Sequence, residues 1–263
     1  MAEIQSSDVA YDIEVYPNCF TCAVESIRTG QSRVFEISSR KNELGPFKAF
    51  IERLRTRGAR MLGFNNYGYD YPVVHHLLTE LDGITDAETI NHSLFQKSKS
   101  IIEAPHFKRF AHVIWDSQHV VQQIDLFKIH HFDNQAKSTS LKMLEFNMRM
   151  TDIRDLPFSP ETELTAEQIE ELVEYNRHDV KATVEFYKHT LKAIRFRESM
   201  GAKYDKNFLN HNNGKIGKDI FIYQLERKLG KQACFTREGG RKKPRQTKRD
   251  QIALNDVFFD YID

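Results

Sequence analysis

Two acids sit two positions apart in the first apolar stretch of the chain. Residues 9–15, Val-Ala-Tyr-Asp-Ile-Glu-Val, read as a buried β-strand that carries Asp12 and Glu14. Side chains at i and i+2 of a strand share one face, so both carboxylates point the same way. Burying an unpaired charge is costly. The fold must therefore bring a neutralising group to that face or leave the strand at a wet rim. Asp-x-Glu pairs are common by chance, and taken alone this one reads as a solvated rim. A divalent cation is the other solution, because hard cations select oxygen ligands.

The rest of the chain supplies a sheet and helices to cover it. Residues 20–27 and 33–37 read as two further strands joined at Thr29-Gly30, making an antiparallel meander. Leu44, Phe47, Phe50, Ile51 and Leu54 recur at helical spacing within residues 43–57. Residues 60–64 form a short apolar strand, and a helix over 71–81 follows with Pro72 in its first turn. A short helix over 85–93, a strand over 120–127 and a helix over 138–146 capped by Ser138 or Thr139 come next. The stretch 97–112 has no clear pattern. Thr165 with Gln168 three residues on is a capping-box signal, opening a long helix from 166 to about 200. Strands followed by strand–helix alternation predict an α/β fold with a mixed sheet flanked by helices. We expect one domain over 1–200 and a C-terminal appendage over 201–263. The appendage holds a helix over 216–229, a basic loop or hairpin over 236–250 and a strand over 253–262.

Charge and cysteine narrow the partners and the compartment. The net charge is +1, from 38 Lys and Arg against 37 Asp and Glu, so the whole chain is no polycation. Its distribution is uneven: residues 161–174 are acidic and residues 237–249 strongly basic. Three cysteines do not make a disulfide framework. Cys19-x-x-Cys22 lacks the second pair of a zinc site, and strand positions three apart face opposite ways. The N-terminus is polar, with no signal-peptide pattern. No stretch approaches the ~20 apolar residues of a membrane span. A cytoplasmic protein, with no membrane partner, is expected.

Further carboxylates complete a pattern. Asp70 ends Phe64-Asn65-Asn66-Tyr67-Gly68-Tyr69-Asp70 at a strand-to-helix junction. Tyr175 and Asp179, four apart on the long helix, share a face with Cβ atoms about 5–6 Å apart. Each is weak alone: Asp70 suits any helix N-terminus, and a helix tyrosine is more often packing. In this order, however, Tyr-Asp-Ile-Glu, Asn-x-x-Tyr-Asp and Tyr-x-x-x-Asp resemble the three exonuclease motifs of the DEDD superfamily, tyrosine subclass. The position used by the histidine subclass is Glu174 here, and His178 is out of register for it. Together with Ile124-Asp125-Leu126 and Ser140-Leu141-Lys142, the chain over residues 8–195 resembles the proofreading domain of phage B-family-like DNA polymerases. A Tyr-x-Asp-Thr-Asp polymerase turn is absent from the sequence.

The resemblance implies a ribonuclease H-like fold and a 3′–5′ exonuclease that removes 5′-mononucleotides from single-stranded or frayed DNA. It implies two Mg²⁺ or Mn²⁺ ions held by Asp12, Glu14, Asp70 and Asp179, with Asp12 bridging them and Asp70 acting on the second ion. Tyr175 would orient the attacking water or the phosphate. Asn66 and Lys142 carry over as contacts to the terminal nucleotide and the scissile phosphate. Phe64 and Tyr69, like Tyr16, Phe20 and Tyr67, are candidates to stack on bases, against core packing as the plain alternative. Arg241, Lys242 and Lys243 lie in a candidate phosphate-tracking arm, the alternative being a solvated linker. The implied partners are a primer 3′ end and a polymerase module in cis or in trans, in a phage-infected bacterium. Two other readings remain open: an RNA 3′–5′ exonuclease, and a non-catalytic single-stranded DNA-binding or polymerase-docking module.

Overall fold

A computed structural model describes residues 7–105, 111–230, 234–238 and 241–245, without the side chains of 237, 238, 241 and 242. The chain forms two compact units, Met1–Asn212 and Asn213–Asp263. The first holds a five-stranded sheet in the order β3-β2-β1-β4-β5. Its strands are β1 (Val9–Tyr16), β2 (Cys19–Ser26), β3 (Ser32–Ser38), β4 (Arg60–Gly63) and β5 (Gln122–Asp125). The pairs β1–β2 and β2–β3 are antiparallel, whereas β1–β4 and β4–β5 are parallel. This is the mixed α/β sheet flanked by helices that the sequence predicts, in a ribonuclease H-like arrangement.

Strand periodicity sorts the core into two layers. Tyr11, Ile13 and Val15 of β1 point to a cluster with α1 (Leu44–Thr56), α2 (Asp70–Thr79) and α3 (Ala87–Ile102), among them Phe47, Val73, Leu77, Ile90 and Leu94. Ala10 and Tyr16 point the other way, to Leu172, Val173, Val180 and Val184 of the long helix α6 (Ala166–Tyr204). Asp12 and Glu14 share that second face. Cys19 and Cys22 fall into opposite layers, both buried and free.

Several elements depart from the predicted bounds. The helix expected over 85–93 is α3, capped by Asp86, whose side chain accepts from the Thr89 N–H. It runs on to Ile102, into the stretch that shows no clear pattern in the sequence. Strand β5 is only four residues long because Asp125 turns the chain into α4 (Leu126–Ile129), accepting from the Phe127 and Lys128 N–H groups. Ser140, not Ser138 or Thr139, caps α5 (Leu141–Asn147). The capping box at Thr165 and Gln168 forms, and α6 continues past 200 to Tyr204. The first unit reaches Asn212 because Phe208 and Leu209 are buried and Asn210 bonds to β5. In the second unit, α7 (Asn213–Leu229) is followed by an antiparallel hairpin of β6 (Phe235–Glu238) and β7 (Arg241–Pro244). The strand expected over 253–262 lies outside the described residues.

Candidate active site

The site forms where β1 outruns its parallel neighbour. Strand β4 pairs with β1 only at Val9 and Ala10 and ends at Gly63. On that side, beyond Ala10, β1 is left without a ladder partner. The crevice at the carboxyl ends of parallel strands is the usual ligand position in open α/β sheets. Here Asp70 closes it: its Oδ1 accepts the Ile13 N–H at 3.3 Å. Asp70 opens α2, where the helix dipole favours a carboxylate.

A tight turn delivers Asp70. Asn65 has a left-handed backbone with φ of 64°, a conformation asparagine tolerates. Buried Asp125 holds the turn, accepting the Asn65 N–H at 3.0 Å and the Tyr67 N–H at 3.2 Å. Burial raises the Asp125 carboxyl to about 6, against the opposing pull of Lys128 and these N–H groups. Asn66 folds back over Gly63, where an added Cβ would meet its Cβ at 2.8 Å.

Carboxylates from three separate segments converge. One oxygen each of Asp12, Glu14 and Asp179 lie within 4.8 Å of one another, all three side chains half-buried. Asp70 stands beside this trio. Burial drives Asp12 well above the usual carboxylate range, helped by the charges of Asp70, Asp179 and Glu14. Glu14 is likewise raised by burial, then by Asp179 and Asp70. Burial lifts Asp70 to about 7 against its backbone hydrogen bonds, and lifts Asp179 to about 7 against a hydrogen bond from Tyr175. The Tyr175 hydroxyl is pushed above its ordinary value by burial, then by the charges of Asp179 and Glu14, and stays protonated. Among the described residues, no Lys, Arg or His forms an ion pair with Asp12, Glu14 or Asp70. Clustered oxygens, like charge and no basic partner fit a hard divalent cation. Asp12, Glu14 and Asp179 would hold it.

Asn176, one residue past Tyr175, was not singled out in the sequence, yet it positions Asp12. It is fully buried. Its Oδ1 accepts the Ala23 N–H at 2.9 Å and the Thr21 hydroxyl at 3.1 Å, which orients the amide. Its Nδ2 then donates to Asp12 Oδ2 at 2.7 Å. Replacing Asn176 with Ala strands two buried donors and frees Asp12. We expect a loss of about 1–3 kcal/mol in unfolding free energy and roughly tenfold weaker Mn²⁺ binding, read by thermal unfolding with and without Mn²⁺. Unchanged Mn²⁺ stabilisation would remove Asn176 from the site.

The expected nucleic-acid contacts divide. Asn66 is fully buried and its Nδ2 donates to Gln123 Oε1 at 3.0 Å. Phe64 packs edge-on against Phe127 and Phe186, with centroids 5.3 and 6.1 Å apart. Tyr16, Phe20 and Tyr67 are buried, and the Tyr16 hydroxyl donates to the Phe158 carbonyl. Tyr69 is half-buried with its hydroxyl 2.7 Å from Ser98 Oγ, close enough to the acids to feel Asp70, Glu14 and Asp12. Lys142 is exposed and paired with Asp155. Lys243 is exposed on β7, and the side chains of Arg241 and Lys242 lie outside the described residues. No protein-family model matches the chain, and no curated protein matches it either.

Proposed function

We propose that the chain is a metal-dependent 3′–5′ exonuclease acting on single-stranded or frayed DNA ends, a proofreading activity for a DNA polymerase module. The observation that carries this is the convergence of Asp12, Glu14 and Asp179 within 4.8 Å, with Asp70 alongside and no Lys or Arg of the described residues ion-paired to them. Polarity and substrate rest on the motif order described above. No helix of the described residues is long and apolar enough to cross a membrane.

When bound, two Mg²⁺ or Mn²⁺ ions supply positive charge to the scissile phosphate and make hydroxide available near neutrality. The chain's own residues do the rest. Asp12, Glu14 and Asp179 would hold the cations, and Asn176 keeps Asp12 in its rotamer. Asp70 adds negative charge beside them and ties β1 to α2. Tyr175 keeps its proton, so it donates a hydrogen bond to the attacking water or to a phosphate oxygen. Tyr69 offers a ring for the last base, worth about 1–3 kcal/mol. Tyr175→Phe removes that donor together with its hydrogen bond to Asp179; we expect a rate about 10- to 100-fold lower, with unfolding free energy lowered by no more than about 1 kcal/mol. A wild-type rate in this variant would deny Tyr175 an orienting role.

The test is a 5′-labelled single-stranded DNA oligonucleotide incubated with Mg²⁺, Mn²⁺ or chelator. The expected result is a one-nucleotide ladder shrinking from the 3′ end and absent in chelator. Parallel RNA and mismatched primer ends read out the substrate class. Metal-independent binding without any ladder would overturn the enzyme reading in favour of a binding module.

A further inference from the structure

A second group of potential metal ligands adjoins the carboxylate trio. Glu145 on α5 and His178 on α6 are 33 positions apart, and both are almost fully buried. His178 Nε2 lies 2.9 Å from Glu145 Oε1. One ligand atom each of Glu145, His178 and Asp179 lie within 4.8 Å of one another. A divalent ion about 2.0–2.2 Å from its ligands spans at most ~4.4 Å between them. That span holds for ligands on opposite sides of the ion; adjacent ligands stand roughly 3–3.5 Å apart, so the wider pairs would close by up to about 2 Å.

We propose that Glu145, His178 and Asp179 form a further cation site, which takes a divalent ion of the Mn²⁺ or Zn²⁺ type in preference to Mg²⁺. Three observations support it. The donor set is one imidazole and two carboxylates, and imidazole suits d-block ions whereas Mg²⁺ asks for oxygen. The other ring nitrogen of His178, Nδ1, faces Asp152 Oδ2 at 3.7 Å. At that distance Asp152, whose Oδ2 accepts from Arg154, is a charged neighbour and not a hydrogen-bond partner, and it favours the proton on Nδ1 that leaves Nε2 free to ligate. Finally, the His178 ring borders open space, although Glu145 and Asp179 do not line it. His178 lines a cleft of about 600 Å³ together with Met148, Thr151, Asp152, Glu174 and Lys181.

A buried Glu145–His178 ion pair is the competing account. It neutralises one carboxylate with one imidazolium and leaves Asp179 facing a like charge. A divalent ion would neutralise both. Asp179 also belongs to the all-oxygen trio, so the two sites would share a ligand. An ion in one would then alter the affinity of the other.

The test uses the full chain in excess Mg²⁺, added to fill the proposed all-oxygen site, with less than one equivalent of Mn²⁺. Pulsed electron paramagnetic resonance on Mn²⁺ should show coupling to an imidazole nitrogen in the wild-type chain. His178→Gln should abolish that coupling and weaken Mn²⁺ binding roughly tenfold or more. The coupling should survive in Asp12→Asn. Oxygen-only ligation of Mn²⁺ in the wild-type chain would overturn the proposal, and so would a nitrogen signal that persists in His178→Gln. The wild-type spectrum decides even if the variant fails to fold. Because the readout is metal ligation, it stands or falls separately from nuclease activity.

Discussion

Replacing Asp12 with Asn and Glu14 with Gln together should lower the rate of 3′-nucleotide release by about 10³-fold or more. The magnitude follows from the chemistry. Cations at a transferring phosphoryl group supply several kcal/mol of charge stabilisation. Each 1.36 kcal/mol is a factor of ten, so a loss of about 4 kcal/mol gives about 10³. Both substitutions keep side-chain shape and remove only the charges that would hold the ions. Single-turnover rates in saturating Mn²⁺, with DNA affinity measured alongside, are the check. Lost turnover with retained affinity matches the proposed role. A double variant that cuts as fast as wild type would reduce these acids to a structural feature of β1.

The second large effect is on stability and its pH dependence without metal. The folded chain holds Asp70 and Asp179 at about 7, against an ordinary aspartate value of 3.8. Between those limits the folded state binds more protons than the unfolded state, so unfolding free energy falls as pH rises. The contribution of these groups is fully present below about pH 4 and is lost as pH passes about 7. For Asp70, which is buried, the loss is on the order of a few kcal/mol, since each pKa unit is about 1.36 kcal/mol. In chelator, Asp70→Asn should therefore be more stable than wild type at pH 8 by about 1–3 kcal/mol, while its amide oxygen still accepts from Ile13. At pH 4 the two should converge. Saturating Mn²⁺ should stabilise the wild type at pH 8, by about 2.7 kcal/mol at a hundredfold excess over Kd. Denaturant unfolding of both proteins at pH 4, 6 and 8 measures this. A variant less stable than wild type at every pH would mean that the Asp70 hydrogen bonds outweigh its repulsion.

The two effects oppose each other: the substitutions that disable a metal site should relieve the metal-free fold. Four carboxylates in one crevice are a local conflict that a well-packed α/β sheet must carry, and such conflicts concentrate at functional sites. The arrangement is costly only while the charges lack a counter-ion.

Much of the layout could be read from local pattern. The alternation in β1 put Asp12 and Glu14 on one face, and the same period separated Cys19 from Cys22. The Thr165–Gln168 capping box started α6 at the right residue, and the i to i+4 spacing put Tyr175 with Asp179 on one side of it. These are properties of a few neighbouring residues, fixed by the 2.0 and 3.6 residue periods of strand and helix. What lay beyond reach depends on partners distant in sequence. Asn176 reaches Asp12 across 164 positions, and Asn66 spends its amide on Gln123 57 positions away. Glu145 reads as an ordinary helix residue until α5 packs on α6 and sets it against His178. Asp125 ends its strand early because it must hold the Asn65–Tyr67 turn. A hydrogen bond between distant segments leaves no period in the sequence. Only the packed sheet, with β1 outrunning β4 and α6 crossing the exposed face, decides which polar groups meet.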